Sequence, residues 1–117
     1  MFNRRAFFAA IAIAAGTGFA APVFADALSD ISSRGAIRVA VPQDFPPFGS
    51  VGIDMAPRGY DIDVANLIAE KLGVKAELVP VTSANRVPYL QTNKVDLVIS
   101  SLGKNADREK VIDFSVA

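Results

Sequence analysis

The stretch Gly59 to Leu72, GYDIDVANLIAEKL, decides the fold. A glycine and an aromatic lead into two aspartates at alternate positions. Val64, Leu67, Ile68 and Leu72 then recur at helical spacing, which predicts a helix with that stripe buried. Carboxylates in a first turn meet the positive end of the helix dipole, so Asp61 and Asp63 read as helix-start stabilisers rather than a catalytic pair. Gly73 supplies the stop.

Elements of alternating type flank this helix. Asp26 to Arg34 (DALSDISSR) predicts a short helix with Leu28 and Ile31 on one face and Gly35 as its end. Ile37 to Val41 (IRVAV) reads as a first strand. Pro42 to Arg58 holds most of the prolines beyond the first residues and reads as a long loop or loose hairpin, a length that in compact domains carries function or disorder. Lys75 to Val81 (KAELVPV) is a second strand whose Pro80 marks an end or an edge. Ser83 or Asn85 is placed to cap a helix through Gln91, with Pro88 in its first turn. Val95 to Ile99 (VDLVI) is a continuous apolar run suited to a strand buried on both faces. Ala106 to Lys110 suits one helical turn, and Val111 to Ser115 (VIDFS) a final strand.

Strand, helix, strand, helix, strand defines an α/β chain with a parallel sheet flanked by helices. Ligands of open parallel sheets sit beyond the carboxyl ends of the strands. The loop after Val41, the turn after Val81 and the segment Ser100 to Gly103 fall there.

Composition narrows the chemistry. The 117 residues include no cysteine, histidine or tryptophan, and the formal net charge is zero. The common zinc sites, thiol catalysis and a Ser-His-Asp triad are thereby excluded, and no strong field favours nucleic acid. No cofactor is implied. Residues 1–25 read as a secretory signal: Arg4 and Arg5, then the apolar run Phe7 to Ala15, then Val23-Phe24-Ala25 with small residues where a signal peptidase reads. That run is too short for a membrane span. Ordinary Sec export fits better than the twin-arginine route, and without cysteine no lipid attachment is expected, so the product is expected to be periplasmic. Residues 26–117 carry two more acids than bases and have the length of one small domain.

Gly59-Tyr60-Asp61-Ile62-Asp63-Val64 with Leu67 to Leu72, and Val95-Asp96 through Ser115, resemble the two hallmark segments of the polar-amino-acid family of periplasmic solute-binding proteins, family 3. The resemblance covers essentially all of residues 26–117. It implies a type II periplasmic-binding-protein-like fold: two α/β lobes that close on a free amino acid and deliver it to a cognate ABC permease in the inner membrane. It implies a monomer that binds and does no chemistry. It also implies that residues 26–117 are the N-terminal part of lobe 1, with the second lobe and the returning segment absent, so that such a fragment would be marginally stable and bind poorly.

The family pattern assigns residues. On residue type alone, Arg108 reads as a surface cation pairing with Asp107 or Glu109; the resemblance makes it the grip on the ligand's α-carboxylate, a task suited to a guanidinium fork. Ser101 matches a contact to the ligand's α-groups, with Ser100 a weaker candidate. Gly103 stands where the family often has serine or threonine, so only its backbone N–H can serve. Asn105 is expected to shape the turn. Phe45 matches an aromatic packing over the ligand side chain, while Phe48 is expected to anchor its loop in the core. Asp44 is either a contact for a cationic ligand or a solvated charge. The run NRVPYLQ resembles the glutamate/aspartate-binding branch, in which Arg86 and Ser83 would meet a side-chain carboxylate; alternatively Arg86 bonds backbone carbonyls at the cleft rim. Two other readings share the fold: an enzyme resembling cyclohexadienyl or arogenate dehydratases, and the sensing domain of a receptor.

Overall fold

The computed structural model describes residues 26–116; the leader expected at residues 1–25 lies outside them. Helix α1 spans Ala27–Arg34. The Asp26 carboxylate accepts from the Leu28 N–H at 3.1 Å as its N-cap, and Gly35 closes it in the left-handed conformation at φ 71°. Strand β1 (Ala36–Pro42) follows, then the short strands β2 (Asp44–Phe45), β3 (Gly49–Val51) and β4 (Pro57–Arg58). Helix α2 spans Tyr60–Leu72 and β5 spans Lys75–Val81. A 3-10 turn at Ser83–Asn85 leads into α3 (Arg86–Gln91), β6 (Leu97–Val98) and α4 (Ala106–Glu109).

The expected parallel sheet forms with strand order β5-β1-β6. Strand β1 is central and pairs with β5 along its whole length, from Ala36↔Lys75 to Pro42↔Val81. Pro80 therefore lies on an edge strand, where its missing N–H costs no ladder bond. The loop from Pro42 to Arg58 is more ordered than expected: β2, β3 and β4 form a small antiparallel sheet.

Both faces of β1 are covered. Ile37, Val39 and Val41 pack with Ile31 of α1 and with Ile62, Ala65 and Ala69 of α2. Ala40 faces the other way, with Val81 and Val95, against Tyr89 and Leu90. Val39, Val41 and Val81 are buried completely, and each valine withdrawn from water contributes about 1.5–3 kcal/mol.

Five expected features differ. The buried face of α2 is Ile62, Ala65 and Ala69, whereas Leu67 and Leu72 are 52% and 41% exposed. Small side chains let the helix approach the sheet, and the bulkier leucines turn aside. In α1 only Ile31 is buried, and Leu28 is exposed. The run Val95 to Ile99 pairs with β1 at Val39↔Leu97 and Ala40↔Val98, extended by Asp96 N–H to Arg38 O and Ile99 N–H to Ala40 O. Only Val95 of that run is fully buried. Val111 to Ser115 forms no strand, because no neighbouring strand runs beside it among the described residues. Neither Ser83 nor Asn85 caps α3 through its side chain.

At the amino end of the sheet, Asp96 ties three elements together. Its carboxylate accepts from the Arg38 N–H at 2.8 Å and from Arg38 Nη2 at 3.0 Å, and it also pairs with Arg34 of α1. Burial pushes this carboxyl up, but the Arg38 guanidinium and N–H, with Arg34, more than offset the push and hold it below the ordinary carboxylate range. A depressed folded-state pKa stabilises the fold above the unfolded value of about 4, and that stabilisation is lost as pH falls through the folded value. Asp96→Asn is expected to cost about 2–4 kcal/mol at neutral pH and to remove part of the acid-side loss of stability. Urea unfolding of both proteins at pH 7 and at acidic pH measures this.

Candidate functional site

The site is built on the carboxyl ends of β1, β5 and β6, which the parallel pairing brings to one edge. The loop after β1 reaches this edge through a backbone contact that depends on Gly59. The first N–H groups of α2 have no intrahelical partners, and no side chain caps them. Carbonyls of the loop take that place: Tyr60 N–H donates to Pro47 O at 3.1 Å, and Asp61 N–H to Phe48 O at 2.8 Å. Gly59 sits at φ 135°, and a Cβ there would stand 2.4 Å from Phe48 O. Glycine is required on both counts.

The loop so fixed displays aromatic rings. Phe45 and Phe48 stack with centroids 5.6 Å apart, and Tyr60 meets Phe48 edge-on at 6.4 Å. Phe48 was expected to anchor the loop in the core; instead it is 37% exposed and packs on Phe45. Backbone hydrogen bonds and β2–β3 pairing hold the loop, so no core anchor is needed.

Beyond β6, the segment Ser100 to Gly103 runs to α4. Asn105 shapes the turn as expected: its side chain accepts from the Arg108 N–H at 2.9 Å. Asp107 pairs with Lys110 and Glu109 with Lys104, so neither acid pairs with Arg108. The half-buried Arg108 instead points Nη1 at Gly103 O, 2.6 Å away. Arg108 and Gly103 are thus brought together. Ser101 is exposed, and its carbonyl accepts from Arg86 Nη1 at 3.4 Å. Ser83 is exposed on the turn after β5. A separate open hollow of about 650 Å³ lies beside β6, lined by Leu90, Leu97, Ser100, Leu102, Ile112 and Phe114 among others; neither Arg108 nor Ser101 lines it.

Asp61 departs from the helix-start reading. Asp63 is exposed as that reading requires, but Asp61 is only 7% exposed, and its Oδ2 has no hydrogen-bond partner among the described residues. Burial pushes its carboxyl up, and the Arg86 guanidinium opposes the push. Helical spacing carried the signal: Asp61 shares a face with Ala65 and Ala69, four and eight residues on.

Residues 37–117 match the family described as bacterial extracellular solute-binding proteins, family 3, and the chain belongs to it. The L-cystine-binding protein TcyJ of Escherichia coli (strain K12) is 31% identical over 97% of this chain and 43% of its own length. The glutamate/aspartate import solute-binding protein of the same strain is 32% identical over 91% of this chain and 38% of its own length. A cyclohexadienyl dehydratase of Pseudomonas aeruginosa is also similar, 30% identical over 76% of this chain and 33% of its own length. This chain thus spans well under half the length of these relatives. Among solved structures, an ancestral cationic amino acid solute-binding protein superposes at TM-score 0.72 with 40% identity, covering 77% of this chain and 39% of that one. The arginine-bound form of domain 1 from TmArgBP superposes at 0.69 with 39% identity, covering 74% of this chain and 69% of that one.

Gly59→Ala is expected to cost about 2 kcal/mol or more, since alanine must adopt a disfavoured φ and clash with Phe48 O. A lowered urea midpoint, with faster hydrogen exchange at Tyr60 and Asp61, checks this.

Proposed function

We propose that this chain contributes the ligand-binding edge of an amino-acid ABC transporter's extracytoplasmic binding component, which holds a free polar amino acid and presents it to a membrane permease. In this reading residues 1–25 are an export leader to the periplasm, and residues 26–117 belong to the first of two lobes of a monomeric protein. The observation that carries it is the placement of Arg108. Its guanidinium is not paired with the adjacent acids and lies against the carbonyl of Gly103, in the segment that follows β6. That fork suits a ligand carboxylate, received together with the Ser101 hydroxyl and the Gly103 N–H. The exposed rings of Phe45 and Phe48 offer an apolar surface to the ligand's side chain, and Ser83 a hydroxyl from the opposite strand end.

Relatives that bind L-cystine and import glutamate or aspartate support this reading, as does the arginine-bound single domain of TmArgBP. The dehydratase relative keeps an enzymatic reading in play on the same fold. Against it, the one described carboxylate near the site that burial pushes up, Asp61, is only 7% exposed, which leaves it little access to a substrate.

Isothermal titration against the common amino acids tests the proposal. Saturable but weak binding of at least one is expected, with Arg108→Lys weakening it about 10- to 100-fold further, because a charged hydrogen bond is worth about 1.5–3 kcal/mol. No binding by the unaltered protein, or turnover of a cyclohexadienyl acid, overturns the proposal.

A further inference from the structure

Asp61 and Arg86 are the buried charged side chains of the described residues, each 7% exposed. One stands in the first turn of α2, the other at the first position of α3. Asp61 Oδ2, Arg86 Nε and Ser100 Oγ are buried without a hydrogen-bond partner among the described residues. Each of these residues adjoins a segment of the candidate site. Asp61 donates its backbone N–H to Phe48 O of the aromatic loop, Arg86 donates Nη1 to Ser101 O, and Ser100 directly precedes Ser101.

The electrostatic balance is informative. Burial outweighs the attraction of Arg86 in setting the direction of the Asp61 shift, and Asp61 Oδ2 and Arg86 Nε are both buried without a partner among the described residues. A pair with that balance is a poor stabilising device, and apolar side chains would fill the space better. Its use lies in fixing position. An arginine that grips a ligand's side-chain carboxylate must also offer its N–H groups to the cleft. This one is enclosed, only 7% exposed, whereas Arg108 is half-buried.

We propose that Arg86 is a positioning residue rather than a ligand contact. With Asp61 as its buried counter-charge, it holds the Ser101 carbonyl and so fixes the Ser100–Gly103 segment relative to the Phe45–Phe48 loop. The inference deepens the binding reading and rests on it for its second test, while the first test needs no ligand.

The first test is amide hydrogen exchange on the full chain, read at Leu102, whose N–H donates to Ser100 O at 2.8 Å, and at Asp61, whose N–H donates to Phe48 O at 2.8 Å. Asp61→Asn and Arg86→Gln are each expected to speed exchange at both amides about 10-fold or more, because each leaves one buried charge uncompensated. The double variant removes both charges, so its acceleration should fall well below the product of the two. Multiplicative effects, or unchanged exchange at Leu102, overturn the proposal.

The second test is titration with L-glutamate, L-glutamine and L-arginine. Arg86→Lys is expected to weaken every ligand that binds by a similar factor of about 5 to 10, as a displaced loop affects the shared α-groups. A loss confined to L-glutamate makes Arg86 a direct contact and overturns the proposal. If the unaltered protein binds none of these or the other common amino acids, the binding reading fails, and the exchange measurement still decides whether Asp61 and Arg86 act as a pair.

Discussion

The loop carbonyls of Pro47 and Phe48 complete the first turn of α2, and the rest of the site depends on that junction. A helix start needs acceptors for its free N–H groups, and a loop needs partners for its carbonyls. Here each need meets the other, at a distance only a glycine at position 59 allows. The junction sets the entry of α2, which places Ile62, Ala65 and Ala69 on the sheet. It also holds the aromatic loop at the carboxyl edge of β1. These two backbone hydrogen bonds therefore serve both the core and the candidate binding edge.

The two ends of the sheet treat charge differently. At the amino end, Asp96 is surrounded by donors from Arg34 and Arg38, and its charged form is favoured. At the carboxyl end, Asp61 and Arg86 are enclosed with polar atoms left unpaired, and the charged form of Asp61 is disfavoured. The amino-end cluster fastens α1, β1 and β6 together. The carboxyl-end residues are bonded to the two segments of the candidate site, Asp61 N–H to Phe48 O and Arg86 Nη1 to Ser101 O. Incomplete satisfaction among the described residues at the candidate edge, and full satisfaction away from it, is the pattern expected where stability is partly given up for placement.

Much of the fold was legible in local pattern. Gly35 and Gly73 marked helix ends, IRVAV and KAELVPV gave strands, and Pro80 marked an edge. The errors share a cause. Leu67 and Leu72 were assigned to the buried face by hydrophobicity, but distance of approach selected the alanines. The segment VIDFS has strand composition, yet a strand requires a neighbour, which composition does not supply. Phe48 looked like an anchor because it is large and apolar, while backbone bonds did the anchoring.

By itself the sequence determined the parallel α/β topology, the absence of histidine and cysteine side chains, and the sheet edge to which the loop after Val41, the turn after Val81 and the Ser100–Gly103 segment run. These follow from residue type and from periods of two and 3.6, which are local properties. Tertiary structure alone decided that Arg108 turns from Asp107 and Glu109 toward Gly103, and that Arg86 and Asp61 share a buried environment. Such choices depend on which distant segments exclude water from a side chain, and desolvation is set by the assembled fold rather than by neighbours along the chain.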